Sequence, residues 1–157
     1  MVNLWKHPIR LRTARKVPQR ISVRVPATSA NLGCAFDCAA LALSLFLDIH
    51  VTSRADKTIT VQYRGVTPER IPADESNLIA RTIRQTLESW RKPRGFDLEI
   101  DNQIPVGCGL GSSAAAIVGS IAACHWLADT TLFDEQLLSL ATKREGDPDN
   151  VAAAWLG

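Results

Sequence analysis

A chain of 157 residues fits one domain and can bury a real core, and its 46% apolar and 22% charged residues are ordinary for a globular protein. A formal net charge of +2 is too weak to point to nucleic acid, and nothing in the composition points to a membrane partner. The four cysteines, Cys34, Cys38, Cys108 and Cys124, form no Cys-x-x-Cys pair and are not spaced with histidines as in a zinc site, so they read as reduced thiols of a cytoplasmic protein.

Residues 1–18 read as a basic, flexible arm. Residues 1–36 hold seven basic side chains and no acidic one, but no apolar run that would make a secretory signal. An organelle transit peptide needs more serine than this segment carries, so a solvated tail or an upstream start is the simpler reading. Residues 19–157 form the domain. Ile21, Val23 and Val25 alternate with Ser22 and Arg24 as in a strand. Pro26 to Asp37, rich in small and polar residues, reads as a loop. Leu41 to Thr52 ends in β-branched residues and predicts strand in at least its second half. Thr58 to Tyr63 predicts another strand, with Ile59, Val61 and Tyr63 on one face.

Glu75-Ser76-Asn77 predicts a helix start, and Ile79, Ile83, Leu87 and Trp90 follow as one apolar stripe. Phe96 to Ile104 alternates as a half-buried strand. Ser112 to Leu127 predicts an apolar central helix. The span from Gln103 to Ala128 has no charged residue, but Pro105 and the glycines break its first third. The remaining helix falls short of the roughly 20 residues a bilayer needs. Asp134 reads as the N-cap of an amphipathic helix with Leu137, Leu138, Leu140 and Ala141, and Pro148 as the first residue of one more.

The segment that carries chemistry lies between the last strand and the central helix: Pro105-Val106-Gly107-Cys108-Gly109-Leu110-Gly111-Ser112-Ser113-Ala114. Glycines let the backbone turn with positive φ and approach a ligand closely. The helix that follows points its free N–H groups and positive dipole end back at the loop. Together they make a phosphate cradle. It is not a Walker loop, because no lysine lies between Lys92 and Lys143, and its spacing is not that of the dinucleotide fingerprint. A glycine-rich turn before a buried helix is the plain alternative. Cys108 reads as a small filler within the loop.

Pro-x-x-x-Gly-Leu-Gly-Ser-Ser-Ala-Ala resembles the phosphate-binding motif of the GHMP kinases. Pro26-Ala27-Thr28-Ser29-Ala30-Asn31-Leu32-Gly33-Cys34-Ala35-Phe36-Asp37 is similar to the first motif of the homoserine kinases in that superfamily, and Glu145-Gly146-Asp147-Pro148-Asp149-Asn150-Val151-Ala152 to a later one. The resemblance implies a two-layer α+β fold, the GHMP-kinase N-terminal domain of the ribosomal protein S5 domain 2-like type. It also implies that this chain is a truncated, N-terminal portion. Such a piece would be a poor enzyme, exposing apolar surface around Leu41–Leu47 or along the central helix.

The function implied is ATP-dependent phosphorylation of the side-chain hydroxyl of L-homoserine, toward threonine. A different small-molecule acceptor, or a non-catalytic remnant, remains open. ATP and Mg2+ are the implied cofactors, and a homodimer stays open for the full-length parent. ATP would bind at residues Pro105 to Ala114, and the acceptor at Asn31, Asp37 and Asn150. Ser112, or Ser113, and Glu145 would hold the metal, and no catalytic base is assigned. Two positions depart from the pattern: Lys143 stands where an earlier glutamate is usual, and Asp147 replaces a histidine. Ala35 and Ala40 replace usual glycines and would be strained if either needed positive φ. His7, His50 and His125 match no motif.

Overall fold

The computed structural model describes residues 20–157; the expected arm at residues 1–18 lies outside the described residues. The alternating apolar residues at its start place β1 (Arg20–Leu32), which pairs antiparallel with β2 (Ala35–Ser53) along nearly its whole length. Pro26 to Leu32, expected as a loop, is therefore strand. Its composition disfavours a strand in isolation, but β2 supplies a continuous partner, and tertiary pairing overrides weak β-propensity. The irregularity survives as register shifts after Pro26 and after Ala30. The hairpin closes at Gly33-Cys34, with Asn31 and Gly33 both at φ 58°. Ala35 and Ala40 are not left-handed, so the expected strain does not arise.

A short helical turn at Pro68–Arg70 and helix α1 (Leu78–Ser89) connect β3 (Ile59–Gly65) to β4 (Phe96–Asn102). The two strands run parallel, as a helical crossover allows, and β4 pairs antiparallel with β2. The sheet of the described residues has the order β1-β2-β4-β3. One face carries Val23, Val25, Leu47, Ile49, Val51, Leu98 and Ile100, all buried. The other carries ion pairs such as Arg24–Asp48 and Arg20–Glu99.

All helices lie on the apolar face. Helix α2 (Ser112–Leu127) packs on β1 and β2 and is flanked by α1, α3 (Asp134–Glu145) and α4 (Pro148–Leu156). Surrounded on all sides, it buries every residue from Ala114 to Cys124. Gly119 lets it approach the sheet: a Cβ there would lie 2.6 Å from Ile49 Cδ1. Burial pushes the Cys124 thiol well above its usual pKa, so this cysteine stays protonated. Exposed apolar surface is thus not on this helix. It appears on the hairpin, where Phe36 is 65% and Leu41 54% exposed.

The helix starts follow local capping. Asn77 caps α1 by accepting from the Ile79 N–H at 2.9 Å, and Asp147 caps α4, which opens on Pro148. Helix α3 differs by one residue: Phe133 is its N-cap and Asp134 the first helical residue. The Gln136 side chain accepts from the Phe133 N–H at 3.1 Å, and Asp134 serves the helix dipole instead. No described helix is long and apolar enough to cross a membrane.

Candidate active site

The loop after β4 is anchored before it becomes free. Asn102, buried at the end of β4, accepts from the Ile104 N–H at 2.9 Å and donates to the Ile104 carbonyl and the Tyr63 hydroxyl, each at 3.0 Å. This ties the loop's first residue to the end of β3. The chain then turns through Gly107 (φ 76°), Gly109 (φ 71°) and Gly111 (φ 63°), all left-handed conformations that glycine adopts without penalty. Open space surrounds Gly109. A Cβ on Gly111 would fall 1.9 Å from Thr28 Oγ1.

Thr28 is the second anchor. It is fully buried, its N–H donates to the Leu110 carbonyl at 3.1 Å, and its hydroxyl donates to Asn150 Oδ1 at 2.8 Å. One side chain from β1 therefore fixes the end of the loop against the first turn of α4. Gly111 is the N-cap of α2 and supplies no side-chain cap. The first intrahelical bond runs from the Ala115 N–H to the Gly111 carbonyl. The N–H groups of Ser112, Ser113 and Ala114 thus point out of the helix, with its positive dipole end, and suit an anion.

Ser112 and Ser113 border a cavity of about 490 Å3. The loop from Val106 to Ser113 forms one wall, Cys108 excepted; Leu47, Tyr63, Ile100 and Asn102 form the sheet side; Pro72, Asn77 and Ile79 close a third side. Glu145 and Asn150 stand at the helix end. Ser113 Oγ donates to Glu145 Oε2 at 2.7 Å. A hydroxyl and a carboxylate beside the open helix start have the oxygen-donor chemistry that Mg2+ prefers, with ligand oxygens and waters completing its shell. No group of three His, Cys, Asp or Glu able to hold a metal without such help occurs among the described residues.

The predicted residues are only partly brought together. Val106, Gly107, Gly109 to Ser113, Glu145 and Asn150 line the cavity, whereas Pro105, Cys108 and Ala114 do not. The Cys108 side chain is exposed. It is Ser113, rather than Ser112, that contacts Glu145. Asn31 lies near the hairpin tip, exposed and off the cavity wall. Asp37 lies in β2, and its side chain is outside the described ones. Asp147 is occupied in capping α4, accepting from the Asp149 N–H at 2.9 Å, and Lys143 is exposed off the cavity. Sequence reasoning missed Thr28, Asn102 and Tyr63, which act through tertiary hydrogen bonds, although Thr28 lay within a motif it had singled out.

The family model "GHMP kinases N terminal domain" matches residues 77–157, a range that contains the glycine loop and α2. The chain belongs to the GHMP kinases. It is 49% identical over 150 residues to a homoserine kinase of Clavibacter michiganensis, covering 94% of this chain and 48% of that protein. It is 45% identical over 141 residues to one of Streptomyces avermitilis, covering 87% of this chain and 46% of the relative. The crystal structure of homoserine kinase from Cytophaga hutchinsonii superposes with a TM-score of 0.78 at 28% identity, over 94% of this chain and 49% of that one. The chain spans about half the length of the curated relatives it matches. The two-layer α+β fold expected from the motifs is thus the fold observed.

Proposed function

We propose that this chain provides the nucleotide-binding part of an ATP-dependent kinase that phosphorylates the side-chain hydroxyl of L-homoserine, a cytoplasmic step toward threonine. The observation that carries the reading is the uncapped start of α2, whose free N–H groups face the cavity beside the Ser113–Glu145 pair. Phosphoryl transfer depends on positioning and charge neutralisation more than on covalent chemistry, and backbone donors supply both without reorganising. The N–H groups of Ser112 and Ser113 hold the phosphates, with Gly107, Gly109 and Gly111 keeping the approach clear. Glu145 and a hydroxyl of Ser112 or Ser113 would hold Mg2+, which when bound would neutralise phosphate charge.

On the acceptor side, Asn150 is positioned by Thr28 at the cavity's helix end. Its amide suits the hydroxyl or carboxylate of an amino acid, and Asp37 and Asn31 are the further acceptor ligands in this reading. The relatives at 49% and 45% identity support homoserine as acceptor. A coupled assay of ADP release by the full-length protein tests it with homoserine, mevalonate, galactose and shikimate. Release that depends on homoserine alone is expected. Turnover of another acceptor with none of homoserine would overturn the acceptor, and absence of ATP binding would overturn the kinase reading itself.

A further inference from the structure

The phosphates of a nucleotide carry more negative charge than one metal ion offsets, so a phosphate site benefits from a fixed cation. Among the described residues that line the cavity, the single basic side chain is Arg70. It ends the helical turn Pro68–Arg70, held there by the bond from its own N–H to the Thr67 carbonyl at 3.0 Å. That turn is itself attached to the strand that launches the loop. The Val66 N–H donates to the Asn102 carbonyl at 3.0 Å, and the Tyr63 hydroxyl to the Val66 carbonyl at 2.7 Å. Gly65 makes the approach feasible, since a Cβ there would lie 2.0 Å from the Asn102 carbonyl oxygen.

The Arg70 guanidinium consequently reaches the loop. A Cβ on Gly107 would lie 3.9 Å from Arg70 Nη1. Five arginines of the described domain are held by the protein, Arg20, Arg24, Arg54 and Arg84 in ion pairs and Arg144 with Gln85 and Thr86, and the remaining ones other than Arg70 do not line the cavity. Arg70 has no such pairing among the described residues. Glu145 sits at the α2 end of the same cavity and Arg70 at the Gly107 end, so a metal and a cation would flank the loop from opposite sides.

We propose that Arg70 is a nucleotide-positioning residue, whose guanidinium contacts the phosphate chain on the Gly107 side of the loop. This rests on the nucleotide reading above. The test is calorimetric titration of ATP and of adenosine into the wild-type protein, Arg70→Ala and Arg70→Lys, at two salt concentrations. Because Arg70 is exposed and unpaired, the variants should melt as the wild type does. Arg70→Ala should weaken ATP about tenfold, a charge-assisted contact's worth, and leave adenosine within about twofold. Arg70→Lys should recover part of the ATP affinity, because it keeps the charge and loses the planar fork. The ATP affinity of Arg70→Ala should also depend less steeply on salt. Equal weakening of ATP and adenosine would assign Arg70 to the base and overturn the phosphate role. Unchanged ATP affinity would overturn the proposal alone, whereas a wild type that binds no ATP overturns the nucleotide reading with it.

Discussion

The two ends of α2 are treated in opposite ways. At its C-terminal end the protein satisfies its own backbone. Lys92 Nζ donates to the Ala128 carbonyl, and the Thr130 N–H donates to the His125 carbonyl at 3.1 Å. The His125 ring nitrogen Nδ1 accepts from the Leu132 N–H at 3.1 Å. At the N-terminal end no side chain caps the helix, and a glycine loop keeps the space before it clear. The same 16-residue helix is thus closed where it is only a scaffold and open where it faces the cavity. Leaving N–H groups uncapped costs stability, which a ligand that binds them can return.

The largest effect should come from Gly111→Val, at the open end. The new side chain would collide with Thr28 and would also sit at positive φ, so a loss of about 3 kcal/mol or more is expected, together with loss of ATP binding. Gly109→Val sharpens the contrast. It has open space around it, so strain alone applies, about 1–2 kcal/mol, while the branched Cβ still blocks the phosphates. Thermal melts paired with ATP titrations separate the two. Similar melting temperatures for both variants would show that the Thr28 contact does not hold the loop.

A smaller effect is expected at the serine that faces Glu145. Ser113→Ala leaves the backbone N–H in place and removes only the hydroxyl. ATP without metal should bind about as before, while the enhancement by Mg2+ should fall about tenfold. An unchanged Mg2+ enhancement would place the metal elsewhere.

At the closed end the expected effects concern stability alone. Lys92→Met removes one donor to the last turn and should cost about 1 kcal/mol in a denaturant melt, with ATP affinity unmoved. A change in ATP affinity would break the division between the two ends. His125 should give the smallest signal. Burial holds its pKa below the usual 6.5, so the fold favours the neutral ring that accepts from Leu132. Its contribution is therefore present above pH 6.5 and is lost as pH falls through the lower folded value. His125→Asn, measured by melts between pH 5 and pH 8, should flatten that part of the profile.

Much of this was legible because it is local. Backbone turns, the helix start and its dipole are all encoded within Pro105 to Ala114, so the glycine loop and the open helix start can be read from contiguous residues. Helix α2 was read from Ser112 to Leu127, the span observed, because an apolar run bounded by a glycine loop has few other outcomes. The acceptor side was less legible. Asn31 and Asp37 lie far from Asn150 in sequence, and of the Asn31 and Asn150 side chains only Asn150 lines the cavity. Arg70 left no mark in the sequence, since an arginine after Pro68-Glu69 looks like any surface charge.

The sequence by itself determined the strand and helix periodicities, the starts of α1 and α4, the glycine loop and the family to which its motifs belong. Those depend on neighbours within a few residues, where spacing and side-chain chemistry suffice. Tertiary structure decided that Pro26 to Leu32 is strand rather than loop, and that Ser113 rather than Ser112 meets Glu145. It also decided that Thr28, 122 positions before Asn150, holds both the loop and α4 in place. The physical reason is common to these cases. Each turns on a hydrogen bond or pairing whose partner, or whose packed geometry, is supplied only once the sheet and helices have come together.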